Sequence, residues 1–219
     1  MKQKLFAASL ALMLAMASTS SRAQTVEGLM SMAQHAFSGA TERVTRVARS
    51  ESVQPFGEEV SFEPGATWDC GFSPNGGALP RVLKAINEVR VRPGDRATIL
   101  VAAYEFTSVE VARALIAAKQ RGVQVAVVAD ATENQRPASK VGMLKENGIP
   151  VRVDNQRQML HDKFLVLDGT AVETGSFNFT RAAASDEHAE NACVIRHSPK
   201  YAARFTGHWQ TLWRESQPV

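Results

Sequence analysis

Gln158-Met159-Leu160-His161-Asp162-Lys163-Phe164-Leu165-Val166-Leu167 runs into Asp168-Gly169, and Glu173-Thr174-Gly175-Ser176-Phe177-Asn178-Phe179-Thr180 follows closely. Phe164 to Leu167 and Thr170 to Thr174 have the apolar and β-branched character of strands, with Asp168-Gly169 as the turn pair between them. Residues two apart on a strand share a face, so His161 and Lys163 are expected to project together, with Asp162 and Phe164 opposite. Ser176 and Asn178 repeat that spacing, and Gly175 allows close backbone approach. Two polar pairs at the ends of apolar strands suit an anion pocket. A neutral imidazole can attack, a lysine can offset charge, and hydroxyl and amide donors can hold oxygens.

Working outward, strands alternate with helices. Thr67 to Phe72 reads as a strand, and Leu79, Val82, Leu83, Ile86 and Val89 recur at helical spacing before the turn Arg92-Pro93-Gly94-Asp95. Ala97 to Ala103 is an expected strand. Ser108 is an expected helix cap for Val111, Ala112, Leu115 and Ile116, with closure at Gly122. Val123 to Ala129 reads as a buried strand, Ser139 to Asn147 as a helix, and Pro150 to Val153 and Asn191 to Arg196 as strands. Pro199 to Glu215 is expected to be a terminal helix burying Tyr201, Phe205, Trp209 and Leu212. This order predicts an α/β fold, a layered mixed sheet flanked by helices.

The chain has 219 residues, and its first 23 read as a cleaved signal peptide. Lys2 and Lys4 precede the apolar run Leu5 to Ala17, and Ser21-Arg22-Ala23 offers small residues at the cleavage positions; the alternative is an uncleaved anchor. A periplasmic or secreted location follows. Residues 24–66 read as an appendage, helical from Val26 to Ser50, and residues 67–219 as the catalytic domain. Lys2, Lys4 and Arg22 account for the net charge of +3. Beyond them, Gln24 to Cys70 carries three arginines against seven acidic residues, while residues 71–219 carry 19 basic and 15 acidic ones. A mildly basic body is compatible with a polyanionic substrate. Arg90, Arg92 and Arg96 read either as a solvated edge or as a substrate contact. Cys70 and Cys193 are expected to pair in an oxidising compartment, the alternative being two buried thiols.

His161, Lys163 and Asp168 in the spacing His-x-Lys-x-x-x-x-Asp, followed by Gly175-Ser176-Phe177-Asn178, resemble the signature of the phospholipase D superfamily. Gly71-Phe72-Ser73-Pro74, Ala103-Tyr104-Glu105-Phe106-Thr107, Ala118 to Val123, Ala189-Glu190-Asn191 and His208-Trp209 resemble its small bacterial endonucleases, which carry one copy of the motif. The likeness covers about residues 70–215. It implies a phospholipase D-like fold and a covalent phosphohistidine on His161, with no cofactor and no metal. Lys163 and Asn178 would offset charge on the non-bridging oxygens, and Ser176 would support the same group. Glu190 would hold the other imidazole nitrogen, with Glu187 as a second claimant. Asp168 is expected to be structural: it lies seven residues from His161, about 23 Å at strand rise and on the opposite face.

One motif per chain and the need for a general acid imply a homodimer sharing one active site. His188 stands beside acidic residues, but no metal-ligand spacing surrounds it. His35, His197 and His208 read as ordinary surface or core residues. Three functions compete: a non-specific endonuclease on DNA or RNA, a phospholipase D on glycerophospholipids, and a non-catalytic nucleic-acid-binding protein.

Overall fold

The computed structural model describes residues 59–219 apart from Asp95 and Asp186, so the expected signal peptide and the stretch Val26 to Ser50 lie outside the described residues. The strands are β1 (Thr67–Ser73), β2 (Thr98–Ala103), β3 (Gln124–Asp130), β4 (Val151–Asp154), β5 (Lys163–Leu167), β6 (Ala171–Gly175), β7 (Glu190–Arg196) and β8 (Gln217–Pro218). The helices are α1 (Ala78–Glu88), α2 (Val109–Gln120), α3 (Ala131–Asn134), α4 (Val141–Glu146), α5 (Arg181–Ala184) and α6 (Pro199–Glu215). One mixed sheet runs β1-β7-β6-β5-β2-β3-β4-β8. Its β2, β3 and β4 are mutually parallel, and β5 pairs antiparallel to β2.

Both sheet faces are covered, which explains the unbroken apolar runs of β2, β3 and β5. On one face Ile99, Val101, Val125, Val127 and Leu165 join one core with Val82, Ile86, Val111 and Leu115 of α1 and α2. On the other, α6 packs across the sheet. There the Phe205 ring meets Phe164 at 5.0 Å, and the Trp209 indole N–H donates to the Val101 carbonyl at 2.8 Å.

Local chemistry sets the element ends. Ser108 Oγ accepts from Val111 N and starts α2, and Gly122, at φ 93°, follows its end. Glu63 takes Ser198 Oγ at 2.6 Å and Lys200 N at 2.8 Å, so a carboxylate caps the N-terminus of α6. This part of the expected appendage therefore packs against the start of α6.

Several boundaries differ from expectation. The helix expected from Ser139 spans only Val141–Glu146, because Ser139 Oγ accepts from Val141 N while donating to Asn134. Single-turn α3 and α5 were not anticipated. They are capped by Asp130 and Thr180 and are too short for a periodic signal. Tyr201 and Phe205 are half-buried rather than buried, being part of an aromatic row that runs from Phe62 to Phe164.

Candidate active site

The parallel strands β2 and β3 direct their carboxyl ends to one edge of the sheet, where open α/β sheets bind ligands. Lys163 begins β5 opposite Ala103, Gly175 ends β6 opposite Ala192, and Glu190 begins β7 opposite Ser73. The sheet thus delivers the candidate residues to that edge.

His161 stands just before β5 and is exposed, whereas Lys163 is only 8% exposed. Their common position comes from a shared neighbour. The Tyr104 ring lies 4.7 Å from the His161 ring, and Lys163 Nζ lies 4.9 Å from the Tyr104 centroid. Lys163 Nζ also donates to the His161 carbonyl at 2.5 Å. Burial lowers the Lys163 pKa, while the charges of Asp162 and Glu190 act in the opposite sense. An ammonium held in this way is desolvated, and an anionic ligand would supply the charge it lacks.

Phe177 and Phe179 are buried, whereas the alternate residues Ser176 and Asn178 are exposed and half-buried and are turned towards the edge. The Phe179 carbonyl accepts from Thr107 N and Ser108 N at 2.9 and 2.8 Å, fastening this segment to the loop after β2. Asn178 Oδ1 is buried with no partner among the described residues. Rotating the amide exchanges its oxygen for an N–H₂ donor, so this group is available to a ligand of either polarity.

Glu190 does not hold His161 in this structure. Its carboxylate accepts from Ser176 Oγ at 2.5 Å and pairs with His188 Nδ1 at 3.5 Å. The reason is the strand order: β6 lies between β7 and β5, so Ser176 is nearer than His161. Glu187 is exposed, and its backbone N–H donates to Ser185.

Asp168 sits at the far end of β5. With φ of 51° and 61°, Asp168 and Gly169 form the tight turn of the β5–β6 hairpin, closed by Thr170 N to the Leu167 carbonyl at 3.1 Å. The Arg90, Arg92 and Arg96 cluster precedes β2 and therefore lies at the edge opposite Lys163. Cys70 and Cys193 face each other in register and are disulfide-bonded.

Three features went unread in the sequence. Tyr104 was quoted only within a resembling loop. Asp162 Oδ2 pairs with His208 Nε2 at 2.8 Å, and this hydrogen bond raises the His208 pKa. Glu173 is buried in β6 with Oε2 unpartnered, and burial pushes its pKa up to about 8. A lone acid within an apolar strand was the available signal for Glu173. No group of three or more histidine, cysteine or acidic side chains suited to a metal occurs among the described residues.

Residues 95–213 match the family model described as "Cardiolipin synthase, PLD-like domain". The chain is 31% identical over 150 residues to human mitochondrial cardiolipin hydrolase, covering 68% of this chain and 56% of that protein. It is 39% identical over 100 residues to a phospholipase D of Rickettsia bellii, covering 46% of this chain and 49% of that protein. Among solved structures, Nuc of Salmonella typhimurium, a phospholipase D family member, matches with a TM-score of 0.65 and 40% identity. That match covers 70% of this chain and 98% of Nuc.

Proposed function

Because this chain belongs to the phospholipase D superfamily, we propose that it is a phosphodiesterase acting through a phosphohistidine on His161, with nucleic acid as its substrate. His161 Nε2 attacks phosphorus, the N–P bond forms as the P–O bond breaks, and the leaving alkoxide takes a proton from an acid across the phosphorus. Water then attacks the phosphorus, the N–P bond breaks, and the phosphomonoester leaves. Lys163 and Asn178 face the non-bridging oxygens, and positioned donors of this kind are worth roughly 10²–10³ in rate. Ser176 supports the same group, with Glu190 holding the serine hydroxyl. His161 of a second copy of the chain serves as the acid, which makes the functional unit a homodimer.

The observation that carries the nuclease reading is the span of the likeness. The chain matches Nuc over 98% of its length but human cardiolipin hydrolase over 56%. The excess of basic over acidic residues in 71–219 supports a polyanion bound through its phosphates.

A second reading, lipid hydrolysis, rests on a different observation. Trp68 and Phe72 share one face of edge strand β1 and are 71% and 60% exposed. Phe72 is in register with Asn191, whose N–H donates to Ser176 Oγ at 3.0 Å. Exposed aromatics beside a phosphate pocket suit a membrane interface.

Purified protein assayed on plasmid DNA and on cardiolipin vesicles, with and without EDTA, separates the two. Salt-sensitive plasmid cleavage that survives EDTA and is lost in His161→Asn is expected. Lipid turnover with intact plasmid would transfer the assignment to the second reading.

A further inference from the structure

The loop after β2 is held by more contacts than a simple connection needs. Asn134 Nδ2 donates to the Tyr104 carbonyl at 2.7 Å and to the Asp130 carbonyl at 2.9 Å, and its Oδ1 accepts from Phe106 N at 3.2 Å. Asp130 is buried and works in two directions. Oδ1 accepts from Glu133 N at 2.9 Å, and Oδ2 accepts from Leu160 N, also at 2.9 Å. Burial raises the Tyr104 pKa, and the nearby charges of Glu133 and Asp130 act in the same sense. One corner of the fold, at the end of β3 and the start of α3, therefore fixes both Tyr104 and the residue preceding His161. The consequence is the contact already described, with the imidazole at 4.7 Å and the lysine ammonium at 4.9 Å from a single phenol ring.

The chemistry of the proposed reaction gives that contact a use. Neutral imidazole becomes cationic when Nε2 bonds to phosphorus while Nδ1 keeps its proton. It becomes neutral again when water displaces it. An aromatic ring attracts a cation within about 6 Å of its centroid, most strongly where water is excluded.

We propose that Tyr104 is a positioning residue whose ring sets the place of Lys163 and stabilises the positive charge that His161 acquires in the phosphohistidine step. This rests on His161 being the nucleophile. The ring carries the effect, and the backbone contacts of Asn134 to the Tyr104 carbonyl and Phe106 N–H hold it in place. The interaction strengthens as charge develops, so it acts on turnover rather than on ground-state binding.

The test uses bis(p-nitrophenyl) phosphate, a small diester that is neither polymer nor lipid, so the choice of natural substrate does not enter. Tyr104→Leu should lower kcat about tenfold with KM nearly unchanged. Tyr104→Phe should restore kcat to within roughly threefold of wild type, because the ring remains. Replacing residue 104 with phenylalanines of increasing fluorination keeps the shape and weakens the ring's attraction for cations. Activity should then fall stepwise at constant KM, and this series serves if Tyr104→Leu does not fold. Wild-type kcat in Tyr104→Leu, a loss expressed only in KM, or no trend with fluorination overturns the inference. His161→Asn runs alongside. If it stays active, the nucleophile assignment itself fails; if it is dead while residue 104 is indifferent, only the role of Tyr104 falls.

Discussion

Gly175 stands so close to Asn191 that a Cβ on the glycine would lie 2.1 Å from the Asn191 carbonyl oxygen. That oxygen also accepts from Ser176 N at 3.1 Å and Phe177 N at 3.2 Å, so the contact places the serine of the candidate pocket. Backbone cannot yield as a flexible side chain can. Gly175→Ala should cost about 3 kcal/mol of stability and displace Ser176. Denaturant unfolding checks the first effect. Turnover well below the folded fraction at assay temperature checks the second, and a fully active, equally stable variant would contradict both.

Lys163 offers a separate handle through pH. Its pKa is lowered by burial, so its ammonium loses its proton below the usual lysine range. If the charge is needed at the phosphate, kcat/KM should fall on the alkaline side before pH 10.5, the ordinary lysine value. Lys163→Met should remove that limb and lower the rate roughly 10²–10³-fold. An unchanged alkaline limb in the variant would assign it to another group.

Glu173 makes the fold pay for a charge it does not use. Its folded pKa of about 8 lies above the ordinary carboxyl value of 4.5, and burial is the cause. Between those values the unfolded chain is ionised there while the folded chain keeps its proton, so stability declines as pH rises through that window. At pH 7 the cost is about 3 kcal/mol. Glu173→Gln should therefore raise the melting temperature at pH 7 to 8 and change it little near pH 4.5. Equal gains at both pH values would mean that packing, not ionisation, is responsible.

The core elements were legible because their signals are local and periodic. Val82 and Ile86 mark the buried face of α1, and the apolar run to Ala129 marks a strand covered on both sides. Asp168 was readable as a turn residue because parity and distance along one strand suffice to separate it from His161. The contacts of Glu190 could not be read from spacing, for the opposite reason. Its partner is decided by strand order, with β6 between β7 and β5, and no sequence spacing encodes that order. Tyr104 escaped for the same reason. Its contacts reach His161, β5 and α3, 57 residues away at His161 and 30 at Asn134, and an isolated tyrosine after a strand carries no mark of them.

The Cys70–Cys193 bridge separates stability from chemistry. It joins β1 to β7 across 123 residues of sequence, so it restricts a long loop in the unfolded chain. Loop-closure entropy for that length predicts a loss of about 5 kcal/mol on removal, or roughly 15 °C in melting temperature for a domain of this size. The bridge is three residues along β7 from Glu190 and lies between the exposed side chains of Trp68 and Phe72 on β1. Seven paired positions of β1 and β7 remain when it is removed, and Ser73 Oγ still donates to the Ala183 carbonyl at 2.9 Å. The Ser73–Glu190 register should therefore survive. Replacing both cysteines with serine should lower the melting temperature by that amount while leaving kcat on a small diester within about twofold at low temperature. A large loss of kcat in the folded variant would mean that the bridge holds Glu190 and, through it, Ser176 in place.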